Sequence, residues 1–279
     1  LEDKVGALTI EFWVSVSDPG VQSTVLDKRT ASLNDPGFEI RSNFQGNYDE
    51  TLHYDENKPP KGSASGMYTK AEYGAGEWHH FAITRSEPEP QPGYATCSND
   101  AECSGSCPTA AAQGCVCVDS PTGGSDCVAA CTTHLDCPSD GPGKTLVCIE
   151  GSCRRYTVSF RIFVDGTQIQ NSNWQNGYGP LPNEKQLNIG CRGETNSLKQ
   201  FLQGRLEELR ISDSIRYTSS FDLATLPFEA DSNTIALYHF DEQSGDQILD
   251  SSGNGHHGYW VGSSLWNAGS PLQCPENTP

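Results

Sequence analysis

Gly76-Glu77-Trp78-His79-His80-Phe81-Ala82-Ile83-Thr84-Arg85 and Phe160-Arg161-Ile162-Phe163-Val164-Asp165-Gly166 decide how this chain is read. Phe81 and Ile83 alternate with their neighbours in the first stretch, and Val158, Phe160, Ile162 and Val164 do so in the second. A period of two is what a strand with one buried face requires. The two stretches therefore read as the arms of one β-hairpin. Hairpin arms are usually joined by a handful of residues, yet roughly seventy lie between these two. Ten of the twelve cysteines fall in that interval. The reading is a β-sandwich with a disulfide-knotted insertion at one hairpin tip: sandwich over 1–85, insertion over 86–155, sandwich and tail over 156–279.

Outward from the hairpin, the pattern repeats. Leu8, Ile10, Phe12, Val14 and Val16 make the apolar face of an opening strand, ended by Asp18-Pro19-Gly20. Trp13 falls on the other face, where it is either covered by another element or open for stacking on a ligand. Shorter strands are expected at Ser23 to Lys28 and Phe38 to Arg41. From Asn43 to Gly66 the alternation dissolves, which reads as a long surface loop or a ragged hairpin at the sheet rim. Val164-Asp165-Gly166-Thr167 carries the Asp-Gly pair of a tight hairpin turn. Leu187 to Cys191, Gly204 to Ile211 and Thr234 to Phe240 supply further strands, and Tyr259 to Trp266 a closing one. With Leu209 and Ile211 facing inward, alternation also turns Glu207 inward, and an inward carboxylate needs a partner.

The insertion opens on a Pro-rich spacer, Ser86 to Gly93. Cys97-x5-Cys103 with Cys115 and Cys117 is echoed by Cys131-x5-Cys137 with Cys148 and Cys153; Cys107 and Cys127 complete the ten. Two units of this size cannot bury a core and need bridges instead. No Cys-x-x-Cys occurs, so zinc and haem are disfavoured, and the cysteine count points to an oxidising compartment, secreted or at the cell surface. Cys191 and Cys274 remain and most simply pair with each other, with an intermolecular bond through Cys274 as the alternative.

Eighteen basic residues stand against 36 acidic ones, a net charge of −18. That balance excludes partners read through phosphates, nucleic acid and anionic membrane alike. No apolar run approaches the length of a membrane span. The start at Leu1 is what a processed or excised piece of an exported protein would show.

Glu11-Phe12-Trp13-Val14, Trp78-His79-His80-Phe81-Ala82, Phe163-Val164-Asp165-Gly166, Gly204-Arg205-Leu206-Glu207-Glu208-Leu209-Arg210-Ile211 and the segment from Phe240-Asp241-Glu242 to Gly258 occur in one order. In that order they resemble the laminin G-like, concanavalin A-like jelly rolls of secreted bacterial proteins. The resemblance covers Leu8 to Arg85 and Tyr156 to about Trp266 and leaves the insertion outside. It implies an all-β fold of two antiparallel sheets packed face to face, often with bound calcium and a role in carbohydrate recognition or adhesion. Calcium would use hard oxygens from Asp241, Asp250, Asn254 and Glu207, the last standing where the family more often has Asp. The competing reading is a Gly-rich turn whose Asp and Asn cap the backbone. His256 and His257 read as surface residues.

The expected function is a non-catalytic extracellular binding or adhesion module that recognises a glycan or glycoconjugate. Trp174, Tyr178 and Trp13 are the candidate contacts, with Trp174 expected in a polar loop. One alternative is a structural subunit of a surface assembly, with the insertion as a knob that meets a neighbouring protein. The other is a glycan-cleaving enzyme, disfavoured because no carboxylate pair is placed for it and Glu207 and Glu208 point to opposite faces of a regular strand.

Overall fold

The computed structural model describes residues 6–18, 21–28, 37–42, 52–58, 63–68, 74–87, 89–90, 97–103, 114–120, 123–132, 137, 147–149, 151–154, 156–175, 186–193, 198–223 and 227–260. The elements are β1 (Leu8–Val16), β2 (Ser23–Asp27), β3 (Phe38–Ser42), β4 (Leu52–Lys58), β5 (Ser63–Tyr68), β6 (His79–Arg85) and β7 (Glu89–Pro90). In the insertion follow a single 3-10 turn (Asp100–Cys103), β8 (Cys115–Asp119), β9 (Ser125–Ala130), β10 (Val147–Ile149) and β11 (Ser152–Arg154). The chain then makes β12 (Tyr156–Val164), β13 (Thr167–Gln175), β14 (Asn188–Ile189), β15 (Gly204–Ser212), β16 (Thr234–Tyr238), β17 (Gln247–Ile248) and β18 (Gly258–Tyr259).

The fold is an all-β, antiparallel two-sheet jelly-roll sandwich. Sheet one runs β13-β12-β6-β1-β15-β16 and sheet two runs β14-β2-β3-β4-β5. The expected long-range hairpin is present: β6 pairs antiparallel with β12, Phe81 opposite Val164 and Arg85 opposite Phe160. Pairing continues through Glu89 and Pro90 to Thr157 and Tyr156, so the insertion leaves and returns through adjacent strands. Between the sheets lie Ile10, Phe12, Val14, Phe81, Ile83, Phe160 and Ile162 from one side and Leu26, Phe38, Ile40 and Leu52 from the other. The Asp-Gly turn forms as expected, with Asp165 and Gly166 at φ 48° and 72° and Val164 opposite Thr167. Positive φ at both central residues is the turn that matches strand twist. A Cβ at Gly166 would also sit 2.1 Å from the Phe221 carbonyl oxygen, so this turn is pressed onto a later segment.

Two expectations change. Asn43 to Gly66 is not one loop: β4 and β5 pair within it, His53 opposite Tyr68. Glu207 does not turn inward. In β15 two residues, Glu208 and Leu209, stand opposite the single Phe12, because Glu11 pairs with Arg210 and Trp13 with Glu207. Glu208 takes φ 52° as the extra residue of this β-bulge. The bulge resets the parity, so Leu206 and Leu209 both meet the core while Glu207 shares the outer face with Trp13.

Glu11, rather than Glu207, is fully enclosed on that outer face. Residues 213–223 and 227–233, in the connection from β15 to β16, cross back over it. Tyr217, Phe221 and Phe228 lay rings against Phe163 and His80, with Tyr217 stacked on Phe221 at 3.6 Å. Beneath them Arg210 donates to Glu11 Oε1 at 2.8 Å and the Tyr217 hydroxyl to Oε2 at 2.6 Å, with His80 Nε2 at 3.4 Å. Burial works against the charge of Glu11, but the His80 contact, Arg210 and the Tyr217 hydroxyl outweigh it and hold the carboxyl below its ordinary range. Tyr217 is pushed well up by burial and by Glu11. Arg216 ties the crossing segment at its far end, through a two-pronged pair with Asp231 at 2.9 and 2.7 Å.

The insertion has its own sheet, β10-β11-β9-β8. Its bridges are Cys97–Cys117, Cys103–Cys127, Cys131–Cys148 and Cys137–Cys153. In each half the first cysteine pairs with the third of these and the second with the fourth, so the halves do repeat an interlocked connectivity, but Cys117 and Cys127, rather than the expected Cys115 and Cys117, correspond to Cys148 and Cys153. The equivalent strands β9 and β11 pair antiparallel, Ser152 opposite Ala130, which relates the halves by a local two-fold. Cys115 is also disulfide-bonded, and Cys107 lies outside the described residues.

Candidate functional site

The turn after β17 holds two of the expected metal ligands. Asp250 Oδ1 accepts the Leu237 and Ser252 N–H groups at 3.0 and 2.9 Å; Oδ2 accepts the Ser252 hydroxyl and the His256 N–H at 2.8 and 2.9 Å. A carboxylate offers about four lone-pair positions, and four protein donors occupy them. Burial opposes ionisation of Asp250, but the Leu237 and Ser252 donors prevail and keep its pKa low. Asn254 Nδ2 donates to the Thr234 and Ile235 carbonyls at 2.9 Å. Asp241 is exposed, and Glu207 lies on the outer face of sheet one beside Trp13. Among the described residues, the groups of three or more His, Cys, Asp or Glu side chains that converge are disulfide cysteines. These residues do not fit calcium: the turn is a cap on the edge of β16. A thermal melt should accordingly give the same midpoint in millimolar calcium and in chelator, and a calcium-dependent rise of several degrees would overturn that reading.

The expected ligand contacts are scattered. Trp13 is partly covered and sets its ring edge-on to His80 at 5.5 Å. Trp174 belongs to strand β13, opposite Val158, rather than to a loop; its side chain, like all of Tyr178, lies outside the described residues. Among the described residues Cys191 is a half-buried free thiol, its pKa raised by burial and by Asp27; Cys274, and with it the expected Cys191–Cys274 bridge, lies outside the described residues.

A different polar site stands on the outer face of sheet two. In β3, Phe38 and Ile40 enter the core, so Glu39 and Arg41 take the other face. A bulge at Val25 brings Thr24 opposite Arg41 and Asp27 opposite Glu39. Glu39 is fully buried there, accepting from Thr24 Oγ1 at 3.2 Å and pairing with Arg41 at 3.2 Å and Arg192 at 3.7 Å. Asp27 accepts the Gly193 N–H at 3.2 Å. From Arg192 the network runs to the rim: Nη1 donates to Gln200 Oε1 at 3.2 Å, and Gln200 Nε2 donates to Gln22 Oε1 at 2.8 Å. Gln200 sits at φ 51°, held by the Thr24 N–H on its carbonyl at 2.8 Å. Non-glycine residues reach that region at a cost of about 1–3 kcal/mol and cluster at binding sites. Beside it Phe201 is 51% exposed and Val21 44%.

Sequence reasoning missed this site because its residues come from three separate stretches. The one signal available was the alternation Phe38-Glu39-Ile40-Arg41, in which both polar residues share a face. What the arrangement offers is an exposed aromatic residue following Gln200 in the chain, a guanidinium and two carboxamides, with the carboxylates buried as supports. That pairing suits a ligand with an apolar C–H face and a hydroxyl-rich edge.

No family model matches the chain, and no curated protein matches it. Among solved structures, one neighbour is a candidate carbohydrate binding protein from Bacteroides ovatus ATCC 8483, with TM-score 0.48 and 15% identity. It is matched over 91% of this chain and 51% of its own, so this chain spans about half its length. Another is a native heptameric SAP-like pentraxin from Limulus polyphemus, with TM-score 0.41, 11% identity, and 92% and 86% of the two chains covered. At these identities and TM-scores neither neighbour indicates a ligand for this chain.

Proposed function

We propose that this chain is a non-catalytic extracellular module that binds a glycan at the rim of sheet two. The observation that carries the reading is the exposed Phe201 beside the Arg192–Gln200–Gln22 chain. Stacking of a pyranose on the ring would supply contact area, and the guanidinium and carboxamides would read hydroxyl positions. The bridged insertion supports an oxidising location. Binding without cleavage follows from the state of the carboxylates on this face: Glu39 and Asp27 are buried and engaged by protein donors, so neither reaches a bound sugar. Glycan-array screening followed by calorimetry on the best ligand tests the proposal. Phe201→Ala should weaken binding about tenfold or more, near 1.4 kcal/mol, with an unchanged melt. Arg192→Ala should weaken binding as much and also lower the melt, because it takes one of the cations paired with the buried Glu39. Wild-type affinity in both variants would move the site elsewhere, and released reducing ends would restore the enzyme reading.

A further inference from the structure

The two edges of sheet one are treated differently. At β16 the backbone is sealed group by group: the Leu237 N–H goes to Asp250, its carbonyl takes the Ser251 N–H, and the Ile235 carbonyl takes the Ser252 hydroxyl and Asn254 Nδ2. At β13 nothing comparable happens. Among the described residues no strand pairs with its outer edge, and only the Gln168 N–H finds a partner there, Ser220 Oγ at 3.0 Å. The strand is nine residues long, TQIQNSNWQ. It carries no Lys or other charge and no Pro, and its one register shift lies near the turn, opposite Ile162 and Phe163. Long, uncharged, unbroken edges are templates for a further strand, and proteins that must stay apart blunt them.

We infer that β13 is a docking edge for a second copy of this chain, paired antiparallel to its own β13. A two-fold makes such a contact self-complementary, with Asn171 at the middle of the strand facing its twin. Charge selects this seam. Copies bearing −18 each repel, and screening within about 10 Å leaves only charges at the contact to matter. β13 has none, and its Gln168, Gln170, Asn171 and Asn173 can hydrogen-bond with like neighbours across a ladder. Edge pairing alone buries little surface, so association in the micromolar range is expected.

Sedimentation equilibrium of the whole chain tests this over about 1 to 300 µM, where mass action would show a monomer–dimer equilibrium. Asn171, exposed and outside the core, is the place to intervene. Asn171→Lys alone and Asn171→Asp alone should each shift the midpoint at least tenfold towards monomer, because like charges then face each other. An equimolar mixture of the two should recover the dimer as a heterodimer. A parent that stays monomeric throughout overturns the inference. So does a dimer indifferent to Asn171→Lys, which would use another surface, and so does protection of the β13 amides that appears only with a different protein added.

Discussion

A Glu11→Ala variant should unfold about 10 °C or more below the parent. Glu11 is fully buried and holds Arg210, Tyr217 and His80 at one point beneath the segment that crosses sheet one. Removing one member of a buried charge pair costs about 3–5 kcal/mol, because the other is left uncompensated. In a domain of this size each kcal/mol moves the midpoint by about 2–4 °C. Glu11→Gln should fall in between, since it keeps an acceptor for the Tyr217 hydroxyl while losing the charge facing Arg210. The damage should be local in origin: amide exchange should rise first over 213–233. A midpoint within about 2 °C of the parent would mean that the crossing segment is held by its aromatic contacts alone.

Reduction should separate the molecule into a melted insertion and an intact sandwich. Among the described residues the hydrophobic clusters of the insertion are mainly half-cystines, Cys103 with Cys127 and Cys131 with Cys153, and the apolar residues of β9 buried with them are Val128 and Ala129. Its four described bridges close separations of 16 to 24 residues, each contributing about 3 kcal/mol in the chain-entropy account. Without them little buried apolar surface remains among the described residues of the insertion. The sandwich has Cys191 as its one cysteine among the described residues, and that thiol is free. Under reductant the amides of β8 to β11 should exchange at unfolded rates and proteases should cut only between the sandwich halves, while β1, β6, β12 and β15 keep their protection. Loss of sandwich protection on the same schedule would show that the insertion is part of its stability.

How far the sequence could be read follows from where each constraint resides. The pairing of β6 with β12 was legible because both arms alternate cleanly and the Asp165-Gly166 turn fixes the next strand. The bulge at Glu208 was not, since it exists only relative to Phe12 on the neighbouring strand, and without it Glu207 is assigned to the wrong face. The burial of Glu11 was hidden for a similar reason: Tyr217, Phe221 and Phe228 cover it from a connection with no strand period. For the candidate site, Asp250 and Asn254 were singled out as metal ligands, whereas their partners here are protein groups: Asp250 takes the Leu237 N–H of β16 together with Ser252 and His256 donors of its own turn, and Asn254 donates to the Thr234 and Ile235 carbonyls. The residues that do form a polar network, Glu39, Arg192 and Gln200, lie far apart in the chain and are joined only by folding.

The narrow neck at Glu89–Pro90 and Tyr156–Thr157 has an evolutionary consequence. Chain exit and re-entry are about 5 Å apart, one inter-strand spacing, so any compact cassette with adjoining ends could be spliced at this point. Natural variants could exchange, enlarge or discard what stands on the stem while inheriting the scaffold below unchanged.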